Sequence, residues 1–540
     1  MKKKILTIAL FFLLLDLPAQ TITSSDLPLV IINTNGQTIM DDPKIMADMG
    51  IIYNGAGTRN NMTDPFNHYN GKIGIEIRGQ SSQQFPMKSY SLELWDANGS
   101  SINRSLFGLP AESDWVLYAP YNEKTLMHNF LAYTMTREMG RWAANCRYVE
   151  VVINNDYKGI YVLMEKIKRN SARVNVTKLN TTDVIGDAVT GGYIFSIDKE
   201  ADGWFSSYVP KERSNNQYIQ FSYIYPKITA LVPAQKDYIK GYVDSFENAV
   251  NAANYQDKQN GWRHFADENS FIDYFITNEV SRNVDGYRLS TYFFKDRNSK
   301  GGKINAGPVW DYDLAFRNAN YCKGSDTTGW AYQFNAVCPG DFWLVPFWWD
   351  RFLSDTAFQS NLKCRWNSLR KTSLSLSRLN TLIDSVVNVT AEARQRHFQR
   401  WPVLGQYVWP NPQPIAMTYD GEIQTLKTWL ADRLHWLDNN IPNKGACADY
   451  PSSVKESVII SFFPNPFSIN NTVTIQSRYQ QVISLKVLDA TGRIIYLQQY
   501  SVVAGSNTLS LPANGWAAGV YFMDIETNAA EKIVRTIVKQ

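Results

Sequence analysis

Residues 271–316, FIDYFITNEVSRNVDGYRLSTYFFKDRNSKGGKINAGPVWDYDLAF, decide how the chain is organised. Phe271, Ile272, Phe275, Ile276 and Val280 recur at helical spacing and stop at the polar run Ser281-Arg282-Asn283-Val284-Asp285-Gly286, so a helix delivers Asp285 into a loop. Leu289 to Phe294 is rich in strand formers, Gly301-Gly302 turns, and a second apolar run, Ala306 to Trp310, leads to Asp311 and Asp313. Three carboxylates therefore stand at element ends. If Trp310 to Leu314 is extended, Asp311 and Asp313 share one face and Tyr312 points the other way. Two carboxylates that close repel, so one is protonated or a cation lies between them. An all-oxygen ligand set suits Mg²⁺, Mn²⁺ or Ca²⁺ better than zinc. The competing reading is a solvated turn or a pair of helix caps; Trp310, Leu314 and Phe316 weigh against it because they argue for partial burial.

A chain of 540 residues can bury more than one core. Aromatic residues make up 13%, with 16 Trp, which points to broad packed surfaces rather than disorder. A formal net charge of only +4 gives no case for nucleic acid or an anionic membrane as partner. MKKKILTIALFFLLLDLPAQ, residues 1–20, has a lysine cluster, an apolar run from Ile5 to Leu15 and a short polar exit, which reads as a cleaved signal peptide. No later stretch is long and apolar enough to span a bilayer. The five cysteines show no Cys-x-x-Cys spacing; Cys322 and Cys338 flank a Gly-containing loop and are the first candidates for a bridge.

Along the chain, Ile73, Ile75 and Ile77 alternate up to Arg78, Gly79-Gln80-Ser81-Ser82 turns, and Lys88 opens a second strand with Tyr90, Leu92 and Leu94. Lys88 shares parity with those apolar residues, so its ammonium points inward and must find an anion or leave the core's edge. A Gly-Ser loop beside such a lysine can hold phosphate, against the plain alternative of a hairpin with a snorkelling lysine. Lys124 to Arg141 reads as a helix, and Asn154-Asn155 joins two strands, the second ending at Glu165. Gly191 to Asp198 is a further strand. Phe342 to Phe352 reads as an aromatic helix broken at Pro346, with a carbohydrate platform as the functional alternative. Helices at 359–371, 376–398 and 423–437 follow; a Pro-, Gly- and Ser-rich linker then leads into seven short strands from Val458 onward, a small sandwich.

Two resemblances organise these pieces. The last eighty or so residues resemble the C-terminal sorting domain of the type IX secretion system of Bacteroidetes, through Phe463-Pro464-Asn465-Pro466-Phe467, Leu488-Asp489-Ala490-Thr491-Gly492-Arg493 and Ala518-Gly519-Val520-Tyr521-Phe522. This implies the type IX machinery as partner and a secreted or surface-attached product. Residues from about 70 to 440 resemble the CotH kinase family, through Ile77-Arg78-Gly79-Gln80-Ser81-Ser82, Phe85-Pro86-Met87-Lys88, Gly159 to Lys166, Gly191-Gly192-Tyr193, Asn283-Val284-Asp285 and Trp310 to Phe316.

The second resemblance implies a divergent protein-kinase-like domain, set at residues 21–445; with the linker at 446–457 and the small all-β, Ig-like sandwich at 458–540 read from the strands, the expected fold class is α+β. The same resemblance implies ATP and Mg²⁺ or Mn²⁺ as cofactors and transfer of the γ-phosphate to protein hydroxyls. Asp285 would be catalytic, Arg78, Ser81, Ser82, Lys88 and Glu165 nucleotide-binding, and Asp311 and Asp313 metal ligands. Phosphoryl transfer asks for that set: a cation on the phosphates, metal-holding carboxylates and a proton acceptor. One departure stands out. Family members commonly carry Asn a few residues after the catalytic Asp, where this chain has Leu289-Ser290-Thr291; Ser290 or Asn283 would have to serve, or the chain is a non-catalytic surface protein. No phosphate-binding P-loop occurs, and glycoside hydrolysis by an acid pair is the third reading.

Overall fold

The computed structural model describes residues 20–199, 202–442, 458–463, 465–468, 471–477, 481–489, 491–503, 505–527 and 532–540. Residues 1–19, nearly all of the expected signal peptide at 1–20, and the expected linker at 446–457 lie outside them. The chain divides into two compact units, one of Met1–Tyr121, Cys146–Lys166 and Val387–Gln406, the other of Asn122–Asn145, Ile167–Val386 and Tyr407–Gln540.

In the first unit β1 (Ser24–Ser25) pairs with β4 (Asn60–Asn61), while β2 (Leu29–Asn33), β3 (Ile45–Ile52), β5 (Tyr69–Arg78), β6 (Ser89–Trp95), β7 (Asp114–Tyr118), β8 (Cys146–Ile153) and β9 (Asp156–Glu165) close a barrel. Its order is β2-β3-β5-β6-β7-β9-β8, sealed by parallel pairing of β2 with β8. The period-two pattern explains the closure: Ile73 and Ile75, Leu92 and Leu94, Trp115 and Leu117, Leu163 and Val149 all point into one core. Each such side chain contributes about 1.5–3 kcal/mol on burial, and closure leaves no open strand edge. The β8–β9 hairpin is the one the sequence signals; Asn154 and Asn155 both take positive φ, 52° and 63°, a conformation asparagine tolerates better than most side chains.

The second unit carries a five-stranded sheet of β10 (Tyr193–Ile197), β11 (Gly203–Phe205), β12 (Gln220–Tyr225), β13 (Thr291–Lys295) and β14 (Ile304–Ala306), in the order β11-β12-β10-β13-β14. The helix Glu268–Ser281 starts at Asp267, whose carboxylate accepts from the Ser270 N–H, and ends where Arg282 turns left-handed at φ 45°. Every residue from Ser270 to Ser281 is buried, against Trp262, Trp349 and Phe352 among others. The aromatic run differs from its expected form: the helix is only Trp348–Leu353, and Trp348 and Trp349 are each 1% exposed, so they pack the core and offer no sugar platform. The helix expected at 376–398 is two, Leu376–Val389 and Ala393–Arg400. Cys322 and Cys338 are bridged, Cys364 is also disulfide-bonded, and Cys146 is a buried thiol.

Seven strands end the chain: β15 (Val458–Phe463), β16 (Thr472–Ser477), β17 (Gln481–Asp489), β18 (Ile494–Val502), β19 (Gly505–Leu509), β20 (Gly519–Thr527) and β21 (Lys532–Lys539). They form sheets β15-β16-β19 and β18-β17-β20-β21, and Val473, Ile475, Leu485, Met523 and Ile537 share one core. The architecture is thus α+β followed by all-β. Among the described residues no helix is long and apolar enough to cross a membrane.

Candidate active site

Helix Glu268–Ser281 is a rigid post for the loop after it. Asn283 Oδ1 accepts the Asp285 N–H at 3.1 Å, and Asn283 Nδ2 donates to the Asp311 carbonyl at 3.3 Å, tying the two acid-bearing loops together. Arg288, 2% exposed, donates to Asp285 Oδ1 at 2.9 Å, to Asp341 Oδ1 at 3.1 Å and to the Trp343 carbonyl at 3.1 Å. A buried guanidinium needs such partners, and it fixes the carboxylate it touches.

The second loop is not the extended strand that the alternation suggested. β14 stops at Ala306, and Asp311 takes φ +64°, which breaks the two-residue alternation. Its backbone is pinned instead by side chains of the helix His128–Glu138: the Asp311 N–H donates to Tyr133 Oη at 3.2 Å, and His128 Nδ1 lies 3.2 Å from the Asp313 carbonyl. Asn129 Oδ1, from the same helix, accepts the Tyr312 N–H at 2.8 Å. A carbonyl only accepts, so His128 carries its proton on Nδ1. Asn318 Nδ2 adds a bond to that carbonyl at 2.9 Å. The two carboxyl groups still meet, in a hydrogen bond between Asp311 and Asp313, and Asn122 Nδ2 donates to Asp313 Oδ2 at 3.2 Å.

This arrangement holds negative charge against its own repulsion. Burial pushes the Asp313 carboxyl above its ordinary range, and the charges of Asp285 and Glu123 push it further. Asp198, just past β10, is raised in the same way by burial and then by Asp311 and Asp285. Beneath the loop, burial pushes Glu123 up to about 8 and His128 down to about 3. The backbone is strained as well. Of the fourteen non-glycine residues with positive φ among those described, eight fall in 282–323: Arg282, Tyr287, Ser290, Asp311, Phe316, Arg317, Cys322 and Lys323.

The donor set suits a hard divalent cation, since it is all oxygen and its mutual repulsion is relieved by positive charge. Among the described residues no three His, Cys, Asp or Glu side chains are close enough to form a protein-only cage.

In the first unit, Gly79 sits at φ +95°, and a side chain there would collide with Ser82 Oγ. Ser81–Gln84 is a single 3₁₀ turn, Gln83 Nε2 donates to the Gly79 carbonyl at 2.6 Å, and Lys88 Nζ donates to the Gln83 carbonyl. The ammonium closes its own loop. Glu165 is fully buried at the end of β9, opposite Trp115, which is opposite Leu92. That level is four residues along β6 from Lys88, roughly 13 Å at the strand rise, so the register does not bring Glu165 to the Lys88 ammonium. Arg78 pairs in register with Ser89 at the loop's base.

A model of the CotH kinase protein family matches residues 75–437. The chain belongs to the CotH kinase protein family. A second model, of a secretion system C-terminal sorting domain, matches residues 461–540, and this CotH-family protein is accordingly sent by type IX secretion to the cell surface or the extracellular space. No curated protein matches the chain significantly. Among solved structures, a mutant β-glucosidase from Listeria innocua with laminaribiose aligns at 14% identity and TM-score 0.13 over 15% of this chain and 16% of that one. The same organism's β-glucosidase with glucose gives 13%, 0.12, 15% and 16%. The matched segment spans about a sixth of those enzymes, and so low a TM-score carries no argument.

Three residues of the candidate site escaped the sequence reading. Asp198 had a usable signal, an acid directly after the apolar strand Tyr193–Ile197, as Asp313 follows an apolar run. Ser290 Oγ lies 3.4 Å from Asp198 Oδ2, and Ile197 pairs with Thr291, so Asp198 borders the place where the expected Asn is missing. Asn122 and Arg288 had none, because their roles come from contacts across 191 and 53 residues.

Proposed function

We propose that this protein is a secreted, metal-dependent protein kinase that transfers the γ-phosphate of ATP to hydroxyl groups of proteins. The observation that carries the reading is the convergence of Asp311 and Asp313 on one another and under the charge of Asp285, on backbone pinned by the helix His128–Glu138. Asp285 accepts the proton of the acceptor hydroxyl, oriented by Arg288 and by its own N–H on Asn283. Asp311 and Asp313 hold the divalent ion, which when bound neutralises phosphate charge. Lys88, Arg78, Ser81, Ser82 and Glu165 are the nucleotide contacts that family membership suggests; register sets Glu165 four residues along the strands from the level of Lys88.

A non-catalytic surface role is the second reading, and one observation favours it: Arg288 already ion-pairs Asp285, so that carboxylate is engaged in a structural contact. The test is labelled ATP with Mn²⁺ on the whole exported chain, beside Asp285→Asn and the double variant Asp311→Asn, Asp313→Asn. Label that vanishes in both variants supports the kinase. A folded wild type with no calorimetric nucleotide binding sinks it.

A further inference from the structure

Around the acids most tyrosine hydroxyls are engaged. Tyr312 donates to Asn278 Oδ1 at 3.0 Å, Tyr287 donates to Glu279 Oε1 at 3.0 Å, and Tyr133 accepts from the Asp311 N–H. Tyr321 differs: its hydroxyl makes no hydrogen bond to any described residue. Its ring packs on Val284, Leu314 and Ala319, that is, on the residue before Asp285 and the residue after Asp313. It also stacks on Trp409 at 6.1 Å and 7°, and Trp409 is 41% exposed, so the ring borders solvent. The neighbouring backbone is held firmly by the Cys322–Cys338 bridge and by the Asn320 N–H on the Pro410 carbonyl at 2.9 Å. Burial raises the phenol's pKa, and the charge of Asp285 raises it further, ahead of those of Asp313 and Asp341, while Arg288 opposes them. A phenol in such surroundings keeps its proton until a base takes it.

We propose that Tyr321 is an acceptor for the protein's own kinase activity, phosphorylated in cis within the same chain. This rests on the kinase reading above. The phenolic oxygen attacks the γ-phosphorus of ATP, forming the new O–P bond. The bond from that phosphorus to the β,γ-bridging oxygen breaks, its electron pair leaving on ADP, and the phenolic proton passes to the Asp285 carboxylate. The product adds a phosphate on a ring packed against Val284 and Leu314, the neighbours of Asp285 and Asp313, where like charge disfavours a second round.

The full chain is incubated with ATP and MnCl₂, with casein as an added acceptor, and the phosphorylated positions are mapped by peptide mass spectrometry across a dilution series of the protein. The expected result is phosphate on Tyr321 with a rate constant that does not change on dilution, absent in Asp285→Asn and in Tyr321→Phe, both checked for an unchanged melting temperature. Casein labelled while Tyr321 stays unmodified overturns this inference and leaves the kinase reading standing. A rate that falls in proportion to dilution overturns the cis assignment. No label on either protein overturns both.

Discussion

The loop Gly79–Lys88 satisfies itself: Gln83 bonds Gly79, Lys88 bonds Gln83, and a glycine takes the one left-handed position. The loops at 282–290 and 311–323 do the reverse. They place non-glycine residues at positive φ and bring carboxyl groups together, and both strains are held in place by side chains from a neighbouring helix and by the buried Arg288. A loop that relaxes into its own bonds has little stored for a ligand to release. A loop held under charge repulsion gains when a cation arrives, which is why the proposed chemistry is assigned to the acid loops.

The sharpest way to break that comparison is to remove the repulsion. Asp311→Asn with Asp313→Asn is expected to lower phosphate transfer by about 10³-fold or more and to abolish Mn²⁺ binding by calorimetry, while the melting temperature holds or rises. A fall in melting temperature would mean the pair stabilises the fold and is not a strained site. Asp285→Asn should cost about 10²–10⁴ in kcat with little change in nucleotide affinity; an equal loss in KM alone would move Asp285 from chemistry to binding. Lys88→Met separates the two roles of the self-satisfied loop. A phosphate contact predicts nucleotide affinity weaker by about tenfold, whereas loop closure alone predicts a lower melting temperature and unchanged affinity.

A smaller effect is read in pH. Glu247 and Asp313 are both raised by burial, Glu247 to about 7 from 4.5. Between the unfolded and folded values the folded chain holds protons that the unfolded chain releases, so unfolding free energy falls as pH rises through that window and is restored below it. Denaturant titrations from pH 4.5 to about 7 should show this decline, with Glu247→Gln flattening it. Asp313→Asn should remove the part that begins at 3.8. A slope indifferent to Asp313→Asn would mean its carboxyl is not held under repulsion. The smallest effect is expected from removing residues 458–540, which should abolish export and leave phosphate transfer within about twofold, the variation ordinary for a distant change.

Much of the fold was legible because it depends on local periodicity. The helix ending before Asn283, the hairpin at Asn154-Asn155, the strand ending at Glu165 and the seven C-terminal strands each follow from a run of residues whose spacing leaves one structure favourable. The Cys322–Cys338 bridge followed from spacing in an exported chain. Legibility failed where distant contacts override local preference: Trp310 to Leu314 alternates like a strand, but Asp311 turns left-handed because Tyr133, Asn129 and His128 hold its loop. Glu165 and Lys88 show the same limit, since which strand residues stand level is set by register across three strands.

Sequence alone determined which residues carry charge at element ends, which faces are apolar and which two families the chain resembles, because hydrophobic period and motif spacing are properties of neighbours along the chain. Only the tertiary structure decided that Asp198 joins the acids, that Arg288 grips Asp285 and that Lys88 closes its own loop. Those outcomes depend on burial and on electric fields summed over groups far apart in sequence, and neither exists until the chain has packed.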